Sequence, residues 1–513
     1  MDEETRKAKA RSYIREEMNS EKLKSTHILY DANISEWKFL QAAYCGSKEL
    51  VRLGYLGRHE RESITAYTRR VNEAFGFSYT SSIVDIFNFY LFKKEASNDF
   101  EALENNKLWE MFNKDCDLYG NAFSDFITNQ SIWSSVFGYI GLLLDKASVE
   151  LKTKQEEIDL RIYPYISKYF PSAILDWEYK RDPITNRPFL NYIKLKDNGS
   201  QFRLWFLDHW EIWDVRIDEK TKQEVVTFVD AGLNELKEIP FIWLYNKESH
   251  ERPIGVSDIH DIARIDLSIL RNLSQGEEII NLGAFPMMRI PKKESSIDGS
   301  KPTVHEDEVG PKAVLEFDVD NPDSKADWLD SKVESPLNAI KQWILQKVNE
   351  IYRSSNSGGV AATETSGEAK SGIALKTEFL LLNSVLVKKA VNLEKAERKI
   401  VRLWLDYERI PEKMDKIKLE RERSYDVENL SEDLENILTS KVIVISKKFD
   451  EYMQKNVVRK MLPTLTEKQY AEIDDEILEN IEKKPDQPED DDEKFFNDDE
   501  DKTQNSKGNS DGK

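Results

Sequence analysis

The chain has 513 residues, too many for one small hydrophobic core, and a formal net charge of −21. Its 33% charged and 39% hydrophobic residues suit a soluble globular protein with a solvated appendix, and the acidity argues against phosphate binding as the main activity. The longest apolar run, Tyr139-Ile140-Gly141-Leu142-Leu143-Leu144, is far short of a membrane span, and Cys45 and Cys116 cannot make a metal site alone.

The N-terminal residues Met1-Asp2-Glu3-Glu4-Thr5-Arg6-Lys7 carry no apolar signal-peptide region, and residues 1–30 alternate charges, which predicts an exposed, frayed helix. Residues 35–90 carry helical spacing through Trp37, Leu40, Ala43 and Tyr44, then Ile83, Ile86, Phe87, Tyr90 and Leu91. One amphipathic helix is predicted over 108–127 and an apolar one over 131–144. From Tyr163 the pattern shifts to short, aromatic, turn-bounded runs. Tyr163-Pro164-Tyr165-Ile166, Ile174-Leu175-Asp176-Trp177, 191–195, 202–207, 211–215 and 225–229 predict an antiparallel sheet, and Phe241-Ile242-Trp243-Leu244-Tyr245 one more strand.

Ser257-Asp258 reads as the start of a helix ended by Gly283 and Pro286. Residues 287–334 form a polar insertion with strand candidates at 287–290 and 313–319. Ser335 as N-cap and Pro336 at the first position open a second helix, with Leu337, Ile340, Ile344, Val348 and Ile351 on one face. A Gly/Ser/Thr-rich gap follows. Then Leu375, Phe379, Leu382, Leu386, Ala390, Leu393, Ala396, Ile400 and Trp404 form one long stripe. Its first half, around Phe379-Leu380-Leu381-Leu382, is apolar on more than one face, as in a helix covered on several sides. Residues 416–427 include a possible strand, and 430–438, 449–461 and 467–481 read as short helices. Beyond Lys484 the acidic end has too little apolar surface to form a core.

Catalytic and metal motifs are missing from the sequence. Gly367-Glu368-Ala369-Lys370-Ser371 lacks the glycine before the lysine that a phosphate loop needs. The six histidines are scattered, and His209, between Asp208 and Trp210, reads as a strand surface residue.

Several stretches, in order, resemble the portal proteins of tailed bacteriophages, of the type near 500 residues. They are His59-Glu60-Arg61-Glu62-Ser63 with Tyr67 and Arg69-Arg70, then Tyr163-Pro164-Tyr165 through Trp177, then Asn234-Glu235-Leu236-Lys237-Glu238-Ile239-Pro240-Phe241 before Gly255-Val256-Ser257-Asp258. Ser371-Gly372-Ile373-Ala374-Leu375-Lys376, opening the long helix, and Ser424-Tyr425-Asp426-Val427 complete the set. The resemblance implies an α+β subunit, mainly helical, with an antiparallel β-rich wing part and a small β-rich clip. Residues 1–34 would be a charged arm, 35–256 the wing, 257–282 and 335–353 the stem helices, and 283–334 the clip. Residues 354–372 would be the tunnel loop, 373–427 the long wing helix and following strand, and 428–483 the crown; the acidic tail 484–513, expected from its composition to be disordered, takes no role from the resemblance.

The function so implied is a homo-oligomeric ring, usually a dodecamer, at one capsid vertex of the virion, made in the bacterial cytoplasm. Double-stranded DNA would pass non-specifically through it during packaging and ejection. Terminase, head-completion or adaptor proteins, and the major capsid and scaffolding proteins would be its partners. No cofactor, metal, membrane or enzymatic activity is implied. Asn356, Ser357, Gly358, Gly359, Thr363, Glu364, Thr365, Glu368 and Lys370 would face the DNA. Arg289, Lys292, Lys293, Glu306, Asp307, Glu308 and Lys312 would meet terminase or adaptor. Two other readings stay open: a scaffold or minor head protein without a channel, and a phosphoester hydrolase built on dispersed carboxylates.

Overall fold

The computed structural model describes residues 3–13, 18–93, 96–147, 149, 153–197, 199–283, 287–291, 314–317, 325, 327–329, 333–355, 372–423, 425, 451–452, 454–455, 458–459 and 467–482. Two units divide the chain, Met1–Asp426 and Val427–Lys513. The first is α+β with mostly antiparallel pairing.

It opens with helices α1 (Glu3–Tyr13), α2 (Ser20–Lys24), α3 (Ile28–Cys45), α4 (Ser47–Arg52), α5 (Ile64–Glu73) and α6 (Tyr79–Phe92). Strand β1 (Ser97–Asp99) precedes helices α7 (Lys107–Lys114) and α8 (Phe123–Phe137), strand β2 (Tyr139–Asp145) and helix α9 (Lys154–Asp159). Two expectations fail here. The helix expected over 108–127 is interrupted, because Asp115 and Asp117 accept hydrogen bonds from the backbone of Gly120 at 2.9 Å and Tyr119 at 3.0 Å and so stabilise a turn. The apolar run 131–144 is half helix and half strand, split at Gly138, whose φ of 90° ends α8. An unbroken apolar run has no periodicity to tell the two apart.

Strands β3 (Tyr165–Tyr169) and β9 (Phe241–Tyr245) flank β2 antiparallel, so Leu142 faces Lys168 on one side and Ile242 on the other. Between them β4 (Ile174–Arg181), β5 (Pro188–Lys196), β6 (Gln201–Phe206), β7 (His209–Ile217) and β8 (Glu224–Leu233) form a five-stranded antiparallel meander in chain order, as the turn-bounded aromatic runs predict.

The described part of the N-terminal arm is docked on the meander rather than exposed throughout. Leu23 is fully buried among Leu175, Phe202, Leu204, Trp213 and Val215 of the meander. Lys194 donates to the Lys22 carbonyl at 2.9 Å and Arg11 lies 5.4 Å over the Phe228 ring. Helix α3 starts at Ile28, with the His27 ring accepting from Leu29 N–H at 3.1 Å, and runs through the boundary expected at 34/35.

His209 is likewise buried, not on the surface. Its ring stacks on Phe206 at 4.5 Å and Tyr13 at 5.3 Å, and its nitrogens lie 2.7 Å from Asp208 Oδ1 and 3.0 Å from Glu211 Oε1. Bonding a carboxylate at each nitrogen requires a proton on each. Burial alone would lower the pKa, but the hydrogen bonds to Glu211 and Asp208 outweigh it and raise it above the ordinary histidine value.

Helix α10 (His260–Gly283), strands β10 (Met287–Pro291), β11 (Val314–Phe317) and β12 (Asp327–Leu329), helix α11 (Glu334–Ser354) and helix α12 (Gly372–Tyr407) follow. The stripe expected on α12 holds wherever its side chains are described: Leu382, Leu386, Ala390, Leu393, Ala396, Ile400 and Trp404 are all buried. Trp404 closes the core against Trp109 at 4.9 Å and Phe112 at 6.1 Å. Strand β13 (Lys418–Glu420) pairs with β1, and Arg421 binds Glu397 of α12 through two hydrogen bonds of 2.8 and 2.5 Å.

In the second unit, helix α13 (Glu467–Glu482) matches the reading at 467–481, and Arg459 lies 3.6 Å from Asp474 and over the Tyr470 ring. Helices read at 430–438 and, for the most part, 449–461, and the acidic tail beyond Lys484, lie outside the described residues.

Candidate functional site

The site with the strongest claim is the pair α10 and α11, the small sheet between them and the start of α12. Helices α10 and α11 run antiparallel: Lys347 reaches Ser268 Oγ at 2.7 Å and also bonds Asn272, while Leu337, ten residues earlier, meets Gly276 further along α10. Burial is deepest at one end of the pair. Ile262, Ala263, Ile269 and Leu270 on α10, and Val348 and Ile351 on α11, are in the core. Towards the ends that adjoin the sheet, Ile280, Trp343 and Leu345 are exposed. The same holds at the start of α12, where Leu380 and Leu381 are 60% and 54% exposed while Leu382 is buried. The start of this helix thus presents apolar side chains on a second face, and among the described residues nothing covers Leu380 and Leu381, whereas the sequence pattern predicts cover on several sides.

Both helices start differently from expectation. Helix α11 begins at Glu334 after Val333, without a side-chain cap, so Ser335 and Pro336 sit inside its first turn. Helix α10 begins at His260, because Ser257 and Asp258 are committed elsewhere. The Ser257 hydroxyl donates to the Val136 carbonyl at 2.7 Å, and Asp258 N–H donates to the Ser135 carbonyl at 3.0 Å. The Asp258 carboxylate accepts from Asn246 Nδ2 at 2.9 Å and from the Lys389 ammonium. Lys389, buried in α12, also donates to Ser135 Oγ at 2.8 Å and to Asn246 Oδ1. This polar knot joins α8, β9, the foot of α10, and α12. Gly255 stacks on Gly138 so closely that a Cβ on it would lie 2.1 Å from the Gly138 carbonyl oxygen.

The segment His59–Arg70 braces α10. Arg70 forks onto Glu62 at 2.7 and 2.8 Å and reaches Ser274 Oγ at 3.3 Å, Arg69 pairs with Glu278 at 2.5 Å, and Tyr67 donates to the Leu56 carbonyl at 2.9 Å. The hydrogen bonds from Arg70 pull the Glu62 carboxyl down to about 2. Asp266 accepts from Thr80 N–H at 3.0 Å and Thr80 Oγ1 at 2.6 Å, tying α10 to α6; burial pushes its carboxyl above the usual range against those bonds.

The insertion holds one more strand than expected. Strand β10 is central, with β11 parallel on one side and β12 antiparallel on the other. The three strands pair within the chain, leaving the outer edges of β11 and β12 unpaired among the described residues.

Arg289 lies in β10. Lys292, Lys293, Glu306, Asp307, Glu308 and Lys312 lie outside the described residues, as do Asn356, Ser357, Gly358, Gly359, Thr363, Glu364, Thr365, Glu368 and Lys370. The sequence reading missed Lys389, Asp266 and Trp343. A signal existed for Lys389: it falls on the buried face of α12, beside Leu386 and Ala390, where a lone cation needs a partner. Among the described residues no metal-binding cluster of His, Cys, Asp or Glu occurs, and no helix is long and apolar enough to cross a membrane. No protein-family model and no curated protein matches the chain.

Proposed function

We propose that the chain is a portal-type ring subunit through which double-stranded DNA enters and leaves a phage capsid. The observation that carries this is the order helix, small sheet, helix, gap, long helix, with large apolar side chains exposed on all three helices. Trp343 on α11 is 51% exposed, next to Leu345 at 43%. Such faces are covered when copies pack around a closed ring, which satisfies a head-to-tail interface without open filaments. In this reading α10 and α11 are the stem, β10 to β12 belong to the clip that meets terminase and then adaptor proteins, and residues 354–372 narrow the channel. Residues 428–483 would be the crown. The net charge of −21 favours a wall that DNA slides past without sticking. The ring, usually a dodecamer in the family, would sit in the virion against the capsid shell. It would hydrolyse no nucleotide itself, the terminase doing so.

The test is electron microscopy and native mass measurement of the purified protein. Closed rings with a central hole are expected. Monomer or dimer alone, across a range of salt, would overturn the reading.

A further inference from the structure

The geometry points to a binding site, between the β4–β5 hairpin and α12, for a planar aromatic ring that carries an anionic group. This goes beyond the portal reading and does not rest on it. A cavity of about 520 Å³ opens there, a size that suits a small organic ligand. Its floor is aromatic: Tyr179, Phe189, Phe241 and Trp243. Its cations are Arg187 from the hairpin, Lys237 from the loop before β9, and Lys399 from α12.

Charge decides what fits. Two carboxylates also line the cavity, and both are occupied. Asp182 accepts from Ile184 N–H at 2.9 Å, Thr185 N–H at 2.6 Å and Thr185 Oγ1 at 3.0 Å, which closes the hairpin turn. Glu238 is paired with Arg402. Arg187 and Lys237 have no ion pair among the described residues, and Lys399 donates to the Phe241 carbonyl at 2.9 Å. Burial holds the Lys399 ammonium below its ordinary pKa, so an arriving anion would relieve it. A chain of net charge −21 thus keeps three cations around an aromatic floor. Three cations against the carboxylates of Asp182 and Glu238, the latter shared between Arg402 and Lys399, leave the lining with a positive excess; a neutral or cationic ligand leaves that excess uncompensated, and a bare anion leaves the aromatic floor wet. A ring joined to a phosphate or a carboxylate satisfies both.

The experiment is calorimetric titration of the purified full-length protein with adenosine 5′-monophosphate and with N-acetylphenylalanine. Adenosine and inorganic phosphate are the controls. Saturable, salt-sensitive binding of at least one ring-bearing anion is expected, with Kd between about 10 µM and 1 mM. Tighter binding of the nucleotide assigns a ring–phosphate ligand, and tighter binding of the amino acid a ring–carboxylate ligand. The paired variant Arg187→Glu/Lys237→Glu changes only exposed side chains and should bind at least about tenfold more weakly. Phe189→Ala should do the same. Circular dichroism checks that each variant stays folded. The inference is overturned if neither probe saturates by about 10 mM, if the charge-reversed protein binds unchanged, or if adenosine or phosphate alone binds as well as the joined molecule.

Discussion

The Lys389 ammonium, buried in the middle of the long helix, is held against the Asp258 carboxylate 131 residues earlier in the chain. That contact fixes where α10 leaves the body of the protein, because the Asp258 side chain would otherwise be free to cap the helix it precedes. Lys389→Met should destabilise the protein by about 3–5 kcal/mol, since it strands a carboxylate that is 13% exposed. Adding Asp258→Asn should recover part of that loss. Urea denaturation of the two single variants and the double variant checks the coupling; additive losses would show that the two groups act separately.

The Gly138–Gly255 stack predicts a steep position effect. Gly255→Ala places a methyl 2.1 Å from a backbone oxygen, and backbone must move, so a loss of about 3 kcal/mol or failure to fold is expected. Gly57→Ala, where a Cβ meets nothing within 4 Å, should change the unfolding midpoint little.

His209 predicts a pH dependence. Its pKa in the folded protein is raised above the ordinary 6.5, so the imidazolium contributes its full stabilisation below that ordinary value. The contribution is lost as pH rises through the raised value. The wild-type unfolding midpoint should therefore fall, relative to that of His209→Gln, as pH rises from 6.5 upward. At pH 6 the variant should be the less stable, by about 2–4 kcal/mol, because Glu211 loses a buried charged partner. A pH-independent difference would place the charge elsewhere.

Leu380→Glu/Leu381→Glu tests assembly. Both side chains are exposed in the isolated chain, so folding should be nearly unchanged, within about 0.5 kcal/mol. Ring formation should be lost or weakened, read by native mass spectrometry beside a thermal melt.

Removing residues 358–367 tests passage of DNA. Rings should still form and still bind terminase, while packaging or retention of DNA fails. Normal packaging by the shortened protein would overturn the channel role proposed for this segment.

Much of this fold is legible in the sequence where one periodicity dominates. Helix α12 shows its buried face from Leu382 to Trp404, and the meander β4–β8 shows short aromatic runs between turn residues. Where partners are distant the sequence is silent. Tyr139–Asp145 looks like the end of a helix until Ile242 and Lys168 are found on either side of Leu142. Asp258 has the chemistry of a helix cap, and only the lysine on α12 redirects it. The polar face of α1 hides its docking, because the surface it covers belongs to β7 and β8 and its contact runs through Arg11 over Phe228 and Tyr13 against His209. For the candidate site, the order of its parts and the doubly apolar start of α12 were readable, whereas the anchoring of the helix pair by Arg70, Asp266 and Lys389 was not.

The uneven burial of α12 makes it a cantilever. At 1.5 Å per residue, about 35 Å of it, from Leu382 to Leu405, is clamped in the core, and the exposed Leu380 and Leu381 mark where the clamp ends. A sideways push applied at Leu380 and Leu381 cannot be absorbed by bending without lengthening backbone hydrogen bonds. It arrives instead as torque on the far anchor, where Trp404 is wedged against Trp109 and Phe112 and Glu397 is bolted to Arg421. Strain applied at the Gly372 end is thereby felt at the β1–β13 ribbon that Arg421 adjoins, and spectroscopic probes placed at Trp404 should report on loads applied at the other end of the beam.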